Sequence, residues 1–341
     1  MSTIRAKTPL RVSFAGGGTD VAPFPTNEGG LVLSATLGRY VYGTLVPRDD
    51  GMILIDSPDL GVKVYFPADR PASVDGTIDL VAASLNRLAH GHPAHLRGYE
   101  ISISSSAPPG SGLGSSSAVV VTLIGLLRAH LGLVLDEYEV AAVAWTVERA
   151  DLGIQGGLQD QYSAAFGGFN HIEFHADHVV VNPLRIKESV VDELEHNLLL
   201  CFTGTTRRGD HIIEDQTSRY LSGEEGTLDG LRAQKELALS MKRTLLRGDT
   251  DGFGALLHEA WQHKKKMSPR ISTPAIDEAY ALARAEGALG GKITGAGGGG
   301  FMLVYCDFRR RHHVVQALTR FGMTVEQVSF EHRGLTTWTR R

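Results

Sequence analysis

From Ser104 to Leu127 the chain reads S-S-S-A-P-P-G-S-G-L-G-S-S-S-A-V-V-V-T-L-I-G-L-L, and no other stretch restricts its fold so tightly. Before it, Tyr99–Ser104 places Ile101 and Ile103 on one side, the period-2 pattern of a half-buried strand. After it, Val119, Val120, Leu123, Leu126 and Leu127 recur at helical spacing. Strand must turn into helix across Pro109, Gly110, Ser111, Gly112, Leu113 and Gly114. Glycines there let backbone N–H groups approach an anion closely, and the positive end of the helix dipole points to the same place. Ser115, Ser116 and Ser117 supply the small hydroxyls favoured at a helix N-cap. The loop reads as a phosphate cradle.

Two better-known phosphate loops do not fit. The pattern G-x-x-x-x-G-K-[ST] requires a lysine, and none precedes Ser115-Ser116. A dinucleotide loop requires G-x-G-x-x-G and an acidic residue about 20 positions on. Gly110-x-Gly112-x-Gly114 is one residue short, and the region around His130 offers no acid. The bland alternative, a Gly/Ser loop that caps a helix and holds nothing, stays open on this stretch alone.

Composition narrows the class. At 341 residues, 42% hydrophobic and 21% charged, the chain can bury a sizeable core, and two domains sharing a cleft are expected. A net charge of −4 argues against a nucleic-acid or anionic-membrane partner. No apolar run reaches the ~20 residues of a membrane span, and Met1–Arg11 has no apolar export segment, so a cytoplasmic protein is expected. Cys201 and Cys306 sit in apolar runs, which suits buried thiols and not a disulfide. The 40 glycines cluster in loops, which points to sites.

Residues 4–14 read as a strand running into Ala15-Gly16-Gly17-Gly18-Thr19-Asp20. Residues 31–66 hold three alternating apolar runs separated by turn residues at 47–51 and 58–61, so antiparallel hairpins are expected. A helix over 79–90 should end at Gly91, leaving His90, His92 and His95 as solvated loop histidines. A helix over 136–149 carries Glu148 near its end, which by itself reads as a surface glutamate. The chain changes domain near 185–197, between a strand closing at Leu184 and another opening at Leu198. After that strand, Arg207 and Arg208 read as a solvated turn or an anion site. Helices follow over 228–246 and 252–266, the second with the basic end Lys264-Lys265-Lys266. The glycine run from Gly290 to Gly300 contains Lys292 and leads straight into the strand 302–305, which a flexible linker would not do.

Three of these stretches together resemble the motifs of the GHMP kinases. P-P-G-S-G-L-G-S-S-S-A is similar to that family's central motif. Arg11-Val12 and Thr19-Asp20 align with R-V-x-x-x-G-E-H-T-D of its sugar kinases, with Gly17 and Gly18 where those have Glu-His. The run from Lys292 to Gly300 resembles K-x-x-G-A-G-G-G-G. Glu148 and Asp160, 12 residues apart, match the family's metal-binding glutamate and the aspartate of G-I-M-D-Q, here G-L-Q-D-Q. A-G-G-G-T-D, T-G-T-T-R, the W-x-x-K helix and I-S-T-P-A-I-D-E narrow the likeness to the heptose 7-phosphate 1-kinases. Fucokinase-like sugar kinases are the alternative.

The resemblance implies an α+β, two-domain GHMP kinase fold. Residues 1–188 form an N-terminal ATP-binding domain and 189–341 a C-terminal domain, with the active site in the cleft between them. It implies ATP phosphates on Pro109, Gly110, Ser111, Gly112, Leu113, Gly114, Ser115, Ser116 and Ser117, with Mg²⁺ held by Ser116 and Glu148. Asp160 would take the proton of an anomeric hydroxyl, and Arg11 would stabilise the transferred charge beside it. Gly17, Gly18, Thr19, Asp20, Gly297 and Gly298 would surround the sugar. Arg207, Lys264 and Lys292 are candidates for a phosphate at its far end, since Gly17 removes a carboxylate that would repel one. The partner is a small-molecule sugar or sugar phosphate, and a homodimer is compatible with the sequence. A non-catalytic sensor is disfavoured because Ser116, Glu148 and Asp160 are all retained.

Overall fold

The computed structural model describes residues 2–206 and 209–340. The first half runs β1 (Thr3–Ala15), α1 (Phe24–Glu28), β2 (Gly30–Pro47), β3 (Met52–Ser57), β4 (Val62–Pro67), α2 (Asp79–Leu88), α3 (Pro93–Leu96), β5 (Tyr99–Ser105), α4 (Ser115–Leu131), α5 (Glu137–Thr146), α6 (Gln159–Phe166), β6 (Phe169–Phe174) and β7 (Val179–Pro183). The second runs α7 (Glu188–Asn197), β8 (Leu198–Phe202), α8 (Asp210–Leu221), α9 (Glu225–Arg247), α10 (Thr250–Lys266), α11 (Pro274–Ala285), β9 (Ala288–Ile293), β10 (Phe301–Cys306), α12 (Phe308–Arg320), β11 (Thr324–Gln327) and β12 (Thr336–Arg340).

The first sheet follows the order β12-β1-β2-β5-β3-β4, with β6 paired to β2 and β7 to β6. At 18 residues, β2 is long enough to pair with β1 on one edge and with β5 and then β6 on the other. The expected hairpin between β3 and β4 forms. A hairpin between β2 and β3 does not: β5 lies between them, antiparallel to β2 and parallel to β3. Tyr99, Ile101 and Ile103 of β5 are buried, so it takes a central place, while β4 alternates half-buried and exposed residues as an edge strand does.

The second sheet, β11-β8-β10-β9, is antiparallel and covered on both faces. Phe301, Leu303 and Tyr305 of β10 point into the core shared with the first sheet, while Met302, Val304 and Cys306 point into a second core with Val314 and Leu318 of α12. Two buried faces make such a strand an unbroken apolar run. Cys201 and Cys306 are free, buried thiols, as expected.

The strands of the second sheet run from Leu198 to Gln327, after which the chain crosses back to the first. Gly38 N donates to Ser329 O (2.7 Å), Glu331 N donates to Thr36 O (3.0 Å), and β12 pairs with β1. The C-terminal stretch thus completes the first sheet.

Two further expectations need correction. His95 is not solvated: its ring is buried, with Nδ1 2.7 Å from the Tyr99 hydroxyl, and His92 caps α3 by accepting from Ala94 N (3.2 Å). Burial draws the His95 pKa below its ordinary value, with the nearby His90 adding to the effect. The helix over 136–149 is regular only as far as Thr146 and then widens into a π turn, Val147–Asp151.

Candidate active site

The cradle meets α4 at Gly114, which caps the helix in the left-handed conformation (φ 72°) without a side-chain hydrogen bond. None of the three serines expected at the cap fills it, and two of them serve another purpose. Ser116 Oγ donates to Glu148 Oε1 (2.8 Å), and Ser117 Oγ donates to Glu148 Oε2 (2.6 Å). Gln161 Nε2 also donates to Oε2. The cap is thus glycine, and no capping hydroxyl occupies the amides of the first turn, the arrangement an anion site needs. Glu148 is 1% exposed, against the bland surface reading. The π turn aims it inward, and such widened turns recur at functional sites.

Arg11 joins three parts of the site. Its backbone N donates to Leu113 O (3.0 Å), its guanidinium donates to Gly112 O (2.6 Å), and its Nε donates to Asp160 Oδ1 (2.7 Å). A second guanidinium nitrogen lies 2.6 Å from the same carboxylate oxygen. Asp160 stands in the first turn of α6, so the pair faces the cradle from across the cleft. Asp20 is 1% exposed. Its carboxylate accepts from Gly18 N (3.0 Å), Gln159 N (3.1 Å) and Gln159 Nε2 (3.1 Å). Burial raises its pKa and the charge of Asp160 adds to the rise, while the backbone hydrogen bonds oppose both.

These groups line one cleft of about 210 Å³. Of the expected residues it gathers Arg11, Gly17, Gly18, Asp20, Gly110, Gly112, Gly114, Ser115, Ser116, Ser117, Glu148, Asp160, Lys264 and Gly297. Lys264 donates to Gly295 O, and its amine is drawn down to about 8 by burial and then by Arg11, against the pull of Asp20 and Asp160. A second cavity of about 840 Å³ shares Gly110, Ser115 and Ser116 with the cleft and is walled by Ile55, Leu60, Ile78, Val81, Ile103 and Val119. Pro109 lines this one instead.

Five more expected residues do not reach the cleft. Ser111 and Leu113 are buried beneath the cradle. Thr19 is wholly buried, its hydroxyl donating to Gly16 O (2.8 Å) and Leu31 O (3.0 Å) and accepting from Leu31 N (2.9 Å), so it braces the loop. Gly298 N donates to Ile271 O (2.8 Å) behind the cleft wall. Lys292 is 1% exposed and ends on Ser13 O. Arg207 lies outside the described residues. Sequence reasoning missed Arg149 and Gln216, which do line the cleft. Arg149 donates to Ile154 O and Gly157 O (3.3 Å each), holding the loop before α6. Gln216 sits on α8, a helix not recognised in the sequence.

Ser116 and Glu148 present adjacent hard oxygens on the cleft wall, which fits Mg²⁺: that ion takes one or two carboxylates and completes its shell with substrate phosphates and water. Among the described residues no cluster of three or more His, Cys, Asp or Glu forms an all-protein metal cage.

Comparison with known proteins identifies the family. Residues 77–168 match the GHMP kinases N terminal domain and 241–322 the GHMP kinases C terminal domain. The chain is 39% identical over 339 residues to D-glycero-alpha-D-manno-heptose 7-phosphate kinase of Campylobacter jejuni, covering 99% of both. A solved D-glycero-D-manno-heptose 1-phosphate kinase from Bacteroides thetaiotaomicron superposes with a TM-score of 0.82 at 35% identity, covering 98% of each chain. A bifunctional fucokinase/GDP-fucose pyrophosphorylase of Arabidopsis thaliana is 27% identical over 88% of this chain and 29% of its own length. This chain belongs to the GHMP kinases.

Proposed function

We propose that the protein transfers the γ-phosphoryl group of ATP to the anomeric hydroxyl of D-glycero-D-manno-heptose 7-phosphate, giving the 1,7-bisphosphate for surface-polysaccharide synthesis. The observation that carries this is the placing of the Arg11–Asp160 pair across one cleft from Ser116 and Glu148. The match over 99% of the chain supports the sugar.

Phosphoryl transfer asks mostly for positioning and neutralised charge. The first-turn amides of α4 and the cradle hold the ATP phosphates, and the apolar cavity beyond Gly110 takes the nucleoside. Ser116 and Glu148 would hold Mg²⁺, which when bound would supply charge neutralisation at the phosphates. Asp160 accepts the proton of the anomeric hydroxyl as its oxygen bonds to the γ-phosphorus and the bond to the leaving ADP oxygen breaks. Arg11 fixes that carboxylate and puts positive charge beside the transferred group. Asp20 receives sugar hydroxyls, and Lys264 holds the distal phosphate.

The test is turnover of ATP with heptose 7-phosphate, unphosphorylated heptose, fucose, mannose and galactose, with the product's anomeric phosphate read by ³¹P NMR. A charged contact to phosphate contributes ~1.5–3 kcal/mol, so kcat/KM for heptose 7-phosphate should exceed that for free heptose by about tenfold or more. Equal values, or a preference for fucose, would overturn the assignment.

A further inference from the structure

Lys292 is among the largest fully buried side chains of the protein, and the cleft does not use it. It belongs to β9 of the second sheet, paired with Leu303, yet its side chain crosses to the first sheet, where Nζ donates to Ser13 O at 2.6 Å. Its charge finds no carboxylate partner among the described residues. The charged groups that act on it are Lys264 and Arg11, both cations, which add to burial in pushing its amine well below the ordinary lysine value. A buried cation without a counter-charge is costly to a fold, and such a cost points to a task.

The position of its acceptor shows what that task is. The β1–β2 register shifts between Ser13 and Ala15, and from this irregularity the chain turns into Gly16–Asp20. Such bulges re-aim the chain near sites and interrupt the regular ladder. Lys292 supplies a donor from the opposite sheet at that point. The same residue carries a buried hydroxyl, Ser13 Oγ, with no partner, and a Cβ on Gly17 would lie only 3.3 Å from it. Gly17, Gly18 and Asp20 then line the cleft.

We infer that Lys292 is a positioning residue that pins the Ser13 bulge from the second sheet and so sets the Gly16–Asp20 loop for the sugar, without touching substrate itself. The sugar side of this statement rests on the function proposed above. Lys292→Met, of similar length and uncharged, removes the link, and Lys292→Gln keeps a neutral donor on a shorter stem.

In Lys292→Met, kcat/KM for the sugar phosphate should fall about tenfold or more through KM, with KM for ATP within twofold of wild type. Amides of residues 16–20 should exchange hydrogen about tenfold faster while those of α4 keep their rates. Lys292→Gln should fall between Met and wild type on both readouts. If both KM values rise together, or the loop amides exchange as in wild type, the inference is overturned. Should Lys292→Met fail to fold, Lys292→Gln decides by the same two readouts. Hydrogen exchange needs no substrate, so it tests the pin even if wild type phosphorylates none of the sugars and the proposed function fails.

Discussion

Gly112→Ala tests whether the cradle, Arg11 and Asp160 move as one unit. Gly112 has φ +79°, and a Cβ added there would stand 2.6 Å from Thr294 O and 2.9 Å from Thr294 Oγ1. The left-handed conformation alone costs a non-glycine residue about 1–2 kcal/mol. Reaching a tolerable 3.0 Å from the carbonyl needs a retreat of about 0.4 Å. Thr294 resists, because its N and Oγ1 both donate to Phe301 O (2.9 and 3.1 Å), so the cradle has to give way. Gly112 O anchors Arg11 at 2.6 Å, and Arg11 anchors Asp160. A 1 Å misplacement at a reacting centre costs about 10²-fold, so a shift of this size should lower kcat by about tenfold. Urea unfolding should report a loss of about 2 kcal/mol, and steady-state kinetics with ATP and sugar phosphate should report the rate. A stable variant with kcat within twofold of wild type would refute the coupling.

Other expectations are direct. Asp160→Asn should lower kcat by about 10²–10⁴ while nucleotide binding, followed by calorimetry, stays within a few-fold; retaining a tenth of the rate would exclude it as the base. Glu148→Gln and Ser116→Ala should each raise the Mg²⁺ needed for half-maximal rate, and an unchanged titration in both would remove them from the metal shell. The folded pKa of Lys264, about 8, lies below the unfolded 10.5. Between those values the unfolded chain binds more protons, so stability should rise with pH, by an amount on the order of 1–3 kcal/mol. Urea unfolding at pH 8 and pH 10 should show that rise, and Lys264→Met should reduce it, leaving the share that the similarly depressed Lys292 contributes; an identical slope in both proteins would contradict the burial argument.

Local pattern made the cradle legible. A strand period, a glycine loop and a helix period meet within a few residues, and Tyr99–Ser105 and Ser115–Leu131 adopt those elements. Asp160 and Glu148 were readable as a spaced pair. What Glu148 does with Ser117 and Gln161 was not, because the π turn that aims it has no mark in apolar spacing. Pairing across long separations was equally hidden. Nothing near Pro47–Gly51 announces that β5, some fifty residues on, enters between β2 and β3. Thr19 and Lys292 were misplaced for one reason: a motif gives the neighbourhood of a polar side chain, while the bulge at Ser13 and the turn at Gly16–Asp20 decide which way it faces.

The return of β12 to β1 also bears on how the molecule is made. Thr3 pairs with Arg340 and Lys7 with Thr336, so the strand that carries Arg11 keeps one edge open until residues more than 300 positions later have left the ribosome. Closure at so long a sequence separation is slow, and an open edge is a template for wrong partners in the meantime. The same closing segment brings Glu331, whose carboxylate meets Lys7 Nζ at 3.3 Å and accepts from the Tyr40 hydroxyl at 2.6 Å. Nascent chains halted before Thr336 should therefore hold the Gly110–Gly114 loop in a half-finished sheet, exposed to proteolysis at β1, and should acquire protection there only with β12.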